Sequence, residues 1–265
     1  MPTPLLKLEN VSYRRGDARV LHSLSWSVHE GEHWAVLGPN GCGKTTMMLI
    51  ATGYEPSSGG RVFLVNGYIS DIVLPRVREK VAFVSAALHD HMLEHRADTT
   101  GLEVVLSGRY ASLGMFRKPS PEEIGRAEDI LSRLGIEALR DKPFRLMSTG
   151  QRQACLVART RMADAELVLL DEPCAGLDLA AREQLLRSLG EACSAEDCPP
   201  HVLVTHHPQE IVREVSHVLL MRDGRVVAQG PRERMMTRPL LERTFGVPLR
   251  IVRQDGRVWI MPRGE

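Results

Sequence analysis

What the chain lacks narrows its class first. No apolar run in its 265 residues approaches the ~18 needed to cross a bilayer, so a membrane role is expected only through a partner. Met1-Pro2-Thr3-Pro4 opens without the basic-then-apolar pattern of a secretion signal. The five cysteines, at 42, 155, 174, 193 and 198, include no C-x-x-C pair, which suits free thiols in a reducing compartment. Charge of one sign is also missing: 34 lysines and arginines against 33 acids leave +1, giving no global field for nucleic acid or anionic lipid. Internal repeats and low-complexity segments are absent as well. A cytoplasmic protein, peripheral to the membrane through a partner and ample in length for a buried core, is expected.

One stretch carries most of the positive information. Gly38, Pro39, Asn40, Gly41, Cys42, Gly43, Lys44, Thr45 and Thr46 fit G-x-x-x-x-G-K-S/T, after an apolar run (Trp34 to Leu37) and before a helix-compatible one (Met47 to Thr52). Glycines let successive backbone N–H groups turn inward around a polyphosphate. The following helix adds its unsatisfied N–H groups and positive dipole end. On this reading Lys44 bridges the β- and γ-phosphates and the Thr45 hydroxyl holds Mg²⁺. A nucleoside triphosphate is the expected ligand.

Leu5 to Tyr13 and Val20 to Val28 are expected as antiparallel strands joined around Gly16-Asp17, and Arg61 to Val65 as a strand closed by the Asn66-Gly67 turn signal. From about 99 to 147 the texture is helical, with capping boxes at Thr100–Glu103 and Ser120–Glu123. Short apolar runs at Val81–Val84, Leu167–Leu170 and Val202–Val204 suit strands buried on both faces. They alternate with expected helices at 151–162, 180–192 and 208–215, which predicts a parallel α/β sheet. The tail, with Asp223-Gly224 and Asp255-Gly256 turns, returns to short strands.

Phosphate loops serve many enzymes, and the second motif narrows the chemistry. Leu167 to Asp171 is an apolar strand ending in an acid, with Glu172 and Pro173 next. Asp171 at the strand tip suits a Mg²⁺ ligand, and Glu172 suits the base that orients and deprotonates an attacking water.

Between the two motifs lies Met147-Ser148-Thr149-Gly150-Gln151-Arg152-Gln153, with Ser148 placed as a helix N-cap. Here the chain resembles the ATP-binding subunits of ABC transporters, whose signature reads L-S-G-G-Q, with Met147 in place of the leucine and Thr149 in place of one glycine. The resemblance covers about residues 5 to 230. It implies a P-loop NTPase core with a mostly parallel sheet, an N-terminal antiparallel β subdomain and an inserted helical subdomain. The implied boundaries are a core at 1–98 and 148–230, helices at 99–147 and a short extension at 231–265. It further implies ATP hydrolysis by a head-to-tail dimer, with MgATP held between the phosphate loop of one copy and Ser148, Gly150 and Gln151 of a second. Tyr13 would stack on adenine, Asp178 in the Ala175–Asp178 loop would cross the dimer interface, and His206, beside His207, would contact the γ-phosphate. The implied partners are transmembrane permease subunits and a substrate-binding protein, with no direct nucleic acid.

One position departs from the family. A glutamine normally follows the strand corresponding to Val81–Val84, reaching the Mg²⁺ and linking to the membrane partner. This chain reads Ser85-Ala86-Ala87 and has no glutamine before Gln151. Ser85 and His89 are candidate replacements, with Ser85 preferred because its hydroxyl lies next in sequence and can both donate and accept. His89, His91 and His95 form a cluster in which His91 and His95 would share a metal if the segment were helical, but a solvated polar loop is the favoured reading.

The Val104–Tyr110 and Thr205–Glu210 stretches resemble the iron–siderophore, cobalamin and molybdate importer branch. The expected function is therefore an ATPase subunit that powers a permease, importing a metal chelate or an oxyanion. A soluble ATPase of the same family that remodels a protein or nucleic-acid complex is the alternative, and the missing glutamine supports it. Glu172 argues against a sensor with little turnover.

Overall fold

The strand and helix signals resolve, in a computed structural model describing residues 3–110, 118–196 and 198–263, into two packed sheets, a C-terminal two-stranded ribbon and a helical layer. β1 (Pro4–Arg15) and β2 (Ala18–His29) form a hairpin around Gly16-Asp17, followed by β3 (Trp34–Leu37), α1 (Lys44–Ala51), β4 (Gly59–Leu64), β5 (Gly67–Tyr68), α2 (Leu74–Arg78) and β6 (Val81–Val84). Helices α3 (Ala86–His95), α4 (Gly101–Ser107), α5 (Pro121–Arg133) and α6 (Thr149–Met162) precede β7 (Leu167–Asp171), α7 (Leu179–Cys193) and β8 (His201–Thr205). Then come β9 (His217–Arg222), β10 (Arg225–Pro231), α8 (Arg232–Met235), α9 (Arg238–Phe245), β11 (Leu249–Gln254) and β12 (Arg257–Pro262).

The larger sheet has the order β10-β9-β3-β8-β7-β6 and is parallel except at the β10 edge. The N-terminal sheet, β2-β1-β4-β5, is antiparallel throughout. Period-two alternation sends Ala35, Leu37, Leu170 and Leu203 into one apolar cluster and Val36, Leu167, Leu169 and Val204 into another. Burial on both faces is the reason these strands read as unbroken apolar runs. The second cluster also receives Leu6, Leu8, Val11 and Leu24 from β1 and β2 and Met47, Met48 and Ile50 from α1, so that helix lies within the core joining the two sheets. A third cluster joins α4, α5 and α6 through Val105, Leu131 and Ala158.

Two local expectations are corrected. The return after β4 turns on Val65 and Asn66, pairing Leu64 with Gly67, rather than on Asn66-Gly67. A Cβ on Gly67 would come within 2.6 Å of Ile72 Cγ2, so that glycine is required by packing rather than by the turn. The helix expected at 208–215 is a single 3₁₀ turn, Pro208–Glu210. The Thr205 hydroxyl donates to the buried Glu210 carboxylate and tethers this turn to the end of β8. Ile211, Val212 and Val215 then enter the core without helical backbone.

Helices α4 and α6 approach closely where α4 ends: a Cβ on Gly108 would lie 2.1 Å from the Arg159 carbonyl oxygen, whereas one on exposed Gly125 in α5 meets nothing within 4 Å among the described residues. Gly108→Ala is expected to lower stability by about 1–3 kcal/mol through overpacking. Gly125→Ala is expected to raise it by roughly 0.5–1 kcal/mol through helix propensity. Urea unfolding of the two variants checks both signs.

Candidate nucleotide and catalytic site

Parallel ladders end β3, β7 and β8 at one edge of the sheet, with Leu37 beside Thr205 and Asp171 beside Val204. That topology brings residues distant in sequence to a single crevice outside the strands' carboxyl ends. The loop leaving β3 has no room for side chains at two places. A Cβ on Gly38 would lie 2.3 Å from the Met221 carbonyl oxygen, and Gly43, at φ +98°, would press a Cβ to 2.8 Å from Leu21 Cδ2. The Gly224 amide donates to the Cys42 carbonyl at 3.1 Å, which ties the loop to the β9–β10 turn. Burial pushes the Cys42 thiol up, so it fills space as a neutral group.

Lys44 is buried, donates to the carbonyls of Gly38 (2.9 Å) and Pro39 (3.0 Å), and holds Nζ 3.7 Å from Glu172 Oε1. Glu172 adopts φ +49°, a left-handed conformation costing on the order of 1 kcal/mol for a residue with a Cβ. Its amide donates to the Val204 carbonyl at 2.9 Å. Its carboxylate Oε1 lies 3.1 Å from His206 Nδ1. The His207 ring lies tilted beside that of His206 with centroids 3.8 Å apart, and its amide donates to Thr205 Oγ1, so the contact to Glu172 belongs to His206.

Asp171 closes β7 and is buried. Burial raises its pKa to about 6 against the opposing hydrogen bond from Thr45; Glu172 adds to the rise and Lys44 offsets it. Its Oδ1 has no partner among the described residues. An orphaned carboxylate oxygen beside a threonine hydroxyl is a donor set that fits a divalent cation preferring oxygen ligands.

Ser148, Gly150 and Gln151 are not drawn into this crevice. Ser148 caps α6 in a reciprocal capping box with Gln151, and Gln151 Oε1 also accepts from Lys142 at 2.9 Å. Gly150 packs on the loop after Glu172, where a Cβ would stand 3.0 Å from the Gly176 carbonyl oxygen. Asp178 caps α7 by accepting from the Ala181 amide at 2.8 Å. Leu146 and Leu179, close in sequence to these two caps, are more than half exposed.

Two expectations need correction. Tyr13 is only 7% exposed; it faces inward with Leu8 and Val11 and donates its hydroxyl to Glu55, so its ring offers no face to a base. Ser85, by contrast, is the N-cap of α3, its oxygen accepting from the Leu88 amide at 3.4 Å, which leaves its O–H free to donate. The histidine segment is helical rather than a loop: His91 and His95 stack at 4.4 Å, and His89 packs on Phe144. The sequence reading missed Glu210, which fixes the backbone beside His206 and whose pairing with Thr205 follows no local pattern.

Because the folded-state pKa of Asp171 is raised, the stability it allows is full below its ordinary value of 3.8 and is lost as pH rises through about 6. In nucleotide-free, chelator-treated protein, Asp171→Asn should therefore melt higher than the parent at pH 8, by about 1–3 kcal/mol, with the gap closing towards pH 4. Thermal unfolding across that range checks it; a lower midpoint at pH 8 would mean that attraction to Lys44 outweighs burial.

The comparisons agree with this geometry. The sequence profile of the family described as "ABC transporter" matches residues 21–175. The chain is 35% identical over 257 residues to the ABC transporter ATP-binding protein YlmA of Bacillus subtilis, covering 97% of this chain and 96% of that protein. It is 28% identical over 262 residues to the ferric enterobactin transport ATP-binding protein FepC of Escherichia coli, covering 98% and 94%. The fold matches that of a solved ABC transporter in an inward-facing conformation, with a TM-score of 0.74, 24% identity and 98% of each chain covered. A phosphate loop, an acid pair at a strand tip, a histidine on the neighbouring strand and a capped signature helix thus occur together in a chain that belongs to the ABC transporter family, as one of its ATP-binding ATPase cassettes.

Proposed function

We propose that the chain is the ATP-hydrolysing subunit of an importer, working as a head-to-tail dimer around two MgATP and coupled to permease subunits at the inner membrane face. The observation that carries the hydrolytic reading is the placement of Glu172 between Lys44 and His206. Lys44 and the amides of the glycine loop offset charge on the γ-phosphate. Thr45 and Asp171 would hold Mg²⁺, which when bound neutralises charge on the β- and γ-phosphates. Glu172 takes a proton from the attacking water as the water oxygen bonds to the γ-phosphorus and the bond to the β–γ bridging oxygen breaks. His206 orients Glu172 through Nδ1.

Three features support the dimer and its partner. The capped start of α6 presents a positive helix end suited to an anion, and its capping groups lie outside its own chain's crevice. Exposed Leu146 and Leu179 give that surface apolar area to cover. A groove of about 710 Å³, lined by Tyr54, Arg78, Phe83, Ser85 and His91, is roomy enough to seat a permease segment where the family's glutamine would stand. The ferric enterobactin relative supports a metal chelate as cargo. A remodelling ATPase of the same family is the second reading, favoured by Ala86 standing where the family's glutamine would be.

Glu172→Gln should keep ATP binding and stall turnover by roughly 10²-fold or more. Phosphate release together with gel filtration in ATP checks this, and turnover within about twofold of the parent would remove Glu172 from the base role. Lys44→Ala chains mixed with Ser148→Arg chains should regain activity, because each heterodimer rebuilds one complete site. A mixture no more active than either variant, with dimers present, would count against sharing between subunits.

A further inference from the structure

At the opposite end of the sheet from the phosphate loop, three side chains meet that the nucleotide chemistry does not use. His33 immediately precedes β3, Cys193 ends α7, and His201 opens β8. One ligand atom from each lies within 4.8 Å of the others, and no other group of three among the described residues does so. We propose that His33, Cys193 and His201 bind a single zinc ion that clasps these three elements together.

The donor set is one thiolate and two imidazoles, the borderline-soft combination that selects zinc over magnesium or calcium. His33 and Cys193 are buried at 8% and 9% exposure, and His201 is half-buried. Burial holds both imidazoles neutral, with His201 lowered to about 4, which is the form that ligates. The His201 Nδ1 contacts the Pro199 carbonyl at 2.8 Å, the kind of partner that orients a ligating histidine and leaves its other nitrogen for the metal. Binding requires one proton to leave: the Cys193 thiol, pushed up to about 12 by burial, loses its proton to solvent as the sulfur–zinc bond forms.

Two adjustments, with a solvent water as fourth ligand, complete the site. Zinc–nitrogen and zinc–sulfur bonds of about 2.0–2.3 Å put tetrahedral ligand atoms roughly 3.3–3.7 Å apart, so the three donors draw in by about 1 Å. His33, whose Nδ1 accepts from the His201 amide at 3.2 Å and which also bonds the Cys193 backbone, exchanges one of these contacts for the metal. Cys198, with Sγ 3.5 Å from His201 Nδ1, stands beside the trio without belonging to it.

The test is a cobalt(II) titration of reduced, chelator-stripped, nucleotide-free protein, followed by zinc displacement. One equivalent should produce a thiolate-to-cobalt charge-transfer band with intense tetrahedral d–d bands, and zinc should erase both. Cys193→Ser should abolish the charge-transfer band, His33→Asn should weaken binding by about tenfold or more, and Cys198→Ser should leave the band in place. A thermal shift with MgATP confirms that each variant is folded, and zinc should raise the melting temperature of the parent but not of Cys193→Ser. No charge-transfer band in the parent, a band that survives in Cys193→Ser, or one that disappears in Cys198→Ser would each overturn the assignment.

Discussion

The site depends on how tightly the loop after β3 is wedged. β3 is clamped on both sides by parallel ladders to β8 and β9, so its carboxyl end has no freedom to drift. The loop must then pass within 2.3 Å of the Met221 carbonyl, as measured from the Cβ that Gly38 lacks, and against Leu21 at Gly43. Those approaches exclude side chains and preset the backbone amides, so the anion cradle is organised before any phosphate arrives. Lys44, the first residue of α1, is buried in the same stroke and directed across the loop carbonyls.

Two adjacent acids receive different environments from that frame. Asp171, still within β7, is buried with one unpartnered oxygen beside the Thr45 hydroxyl, an oxygen donor set suited to a cation. Glu172, one residue on, leaves the strand through a left-handed backbone step, and its side chain is a third exposed beside His206. A strand alternates its side chains across the sheet, and the left-handed step breaks that alternation so that both carboxylates serve one crevice. The cost of the step is local, and it sits where the chemistry needs it.

Helix α6 links this chemistry to the rest of the chain. Its amino end rests on Gly176 of the loop following Glu172, while its far half packs closely under Gly108 at the end of α4. In both, a glycine on one side lets it come close to a backbone carbonyl of the other.

The local signals were legible in the sequence because each rests on neighbours in the chain. The glycine loop, the capping boxes at Thr100 and Ser120, the N-cap at Ser148, and the apolar runs that became β3, β6, β7 and β8 all appear where their spacing placed them. Position in a motif could not reveal which way a side chain faces. Tyr13 sits on the inward side of β1 because Leu8 and Val11 set that face, and only the packing of two sheets makes the face internal. Gly67 looked like half of a turn and proved to make room for Ile72, and the expected helix at 208–215 yielded to a tether between Thr205 and Glu210. The approach of His33, Cys193 and His201 comes from the parallel register of β3 with β8, two strands separated in sequence by most of the chain. The sequence by itself determined the local chemistry and the elements that carry it. The tertiary structure decided which of those groups meet and which are buried, because burial and long-range register are properties of the packed sheets and not of any one segment.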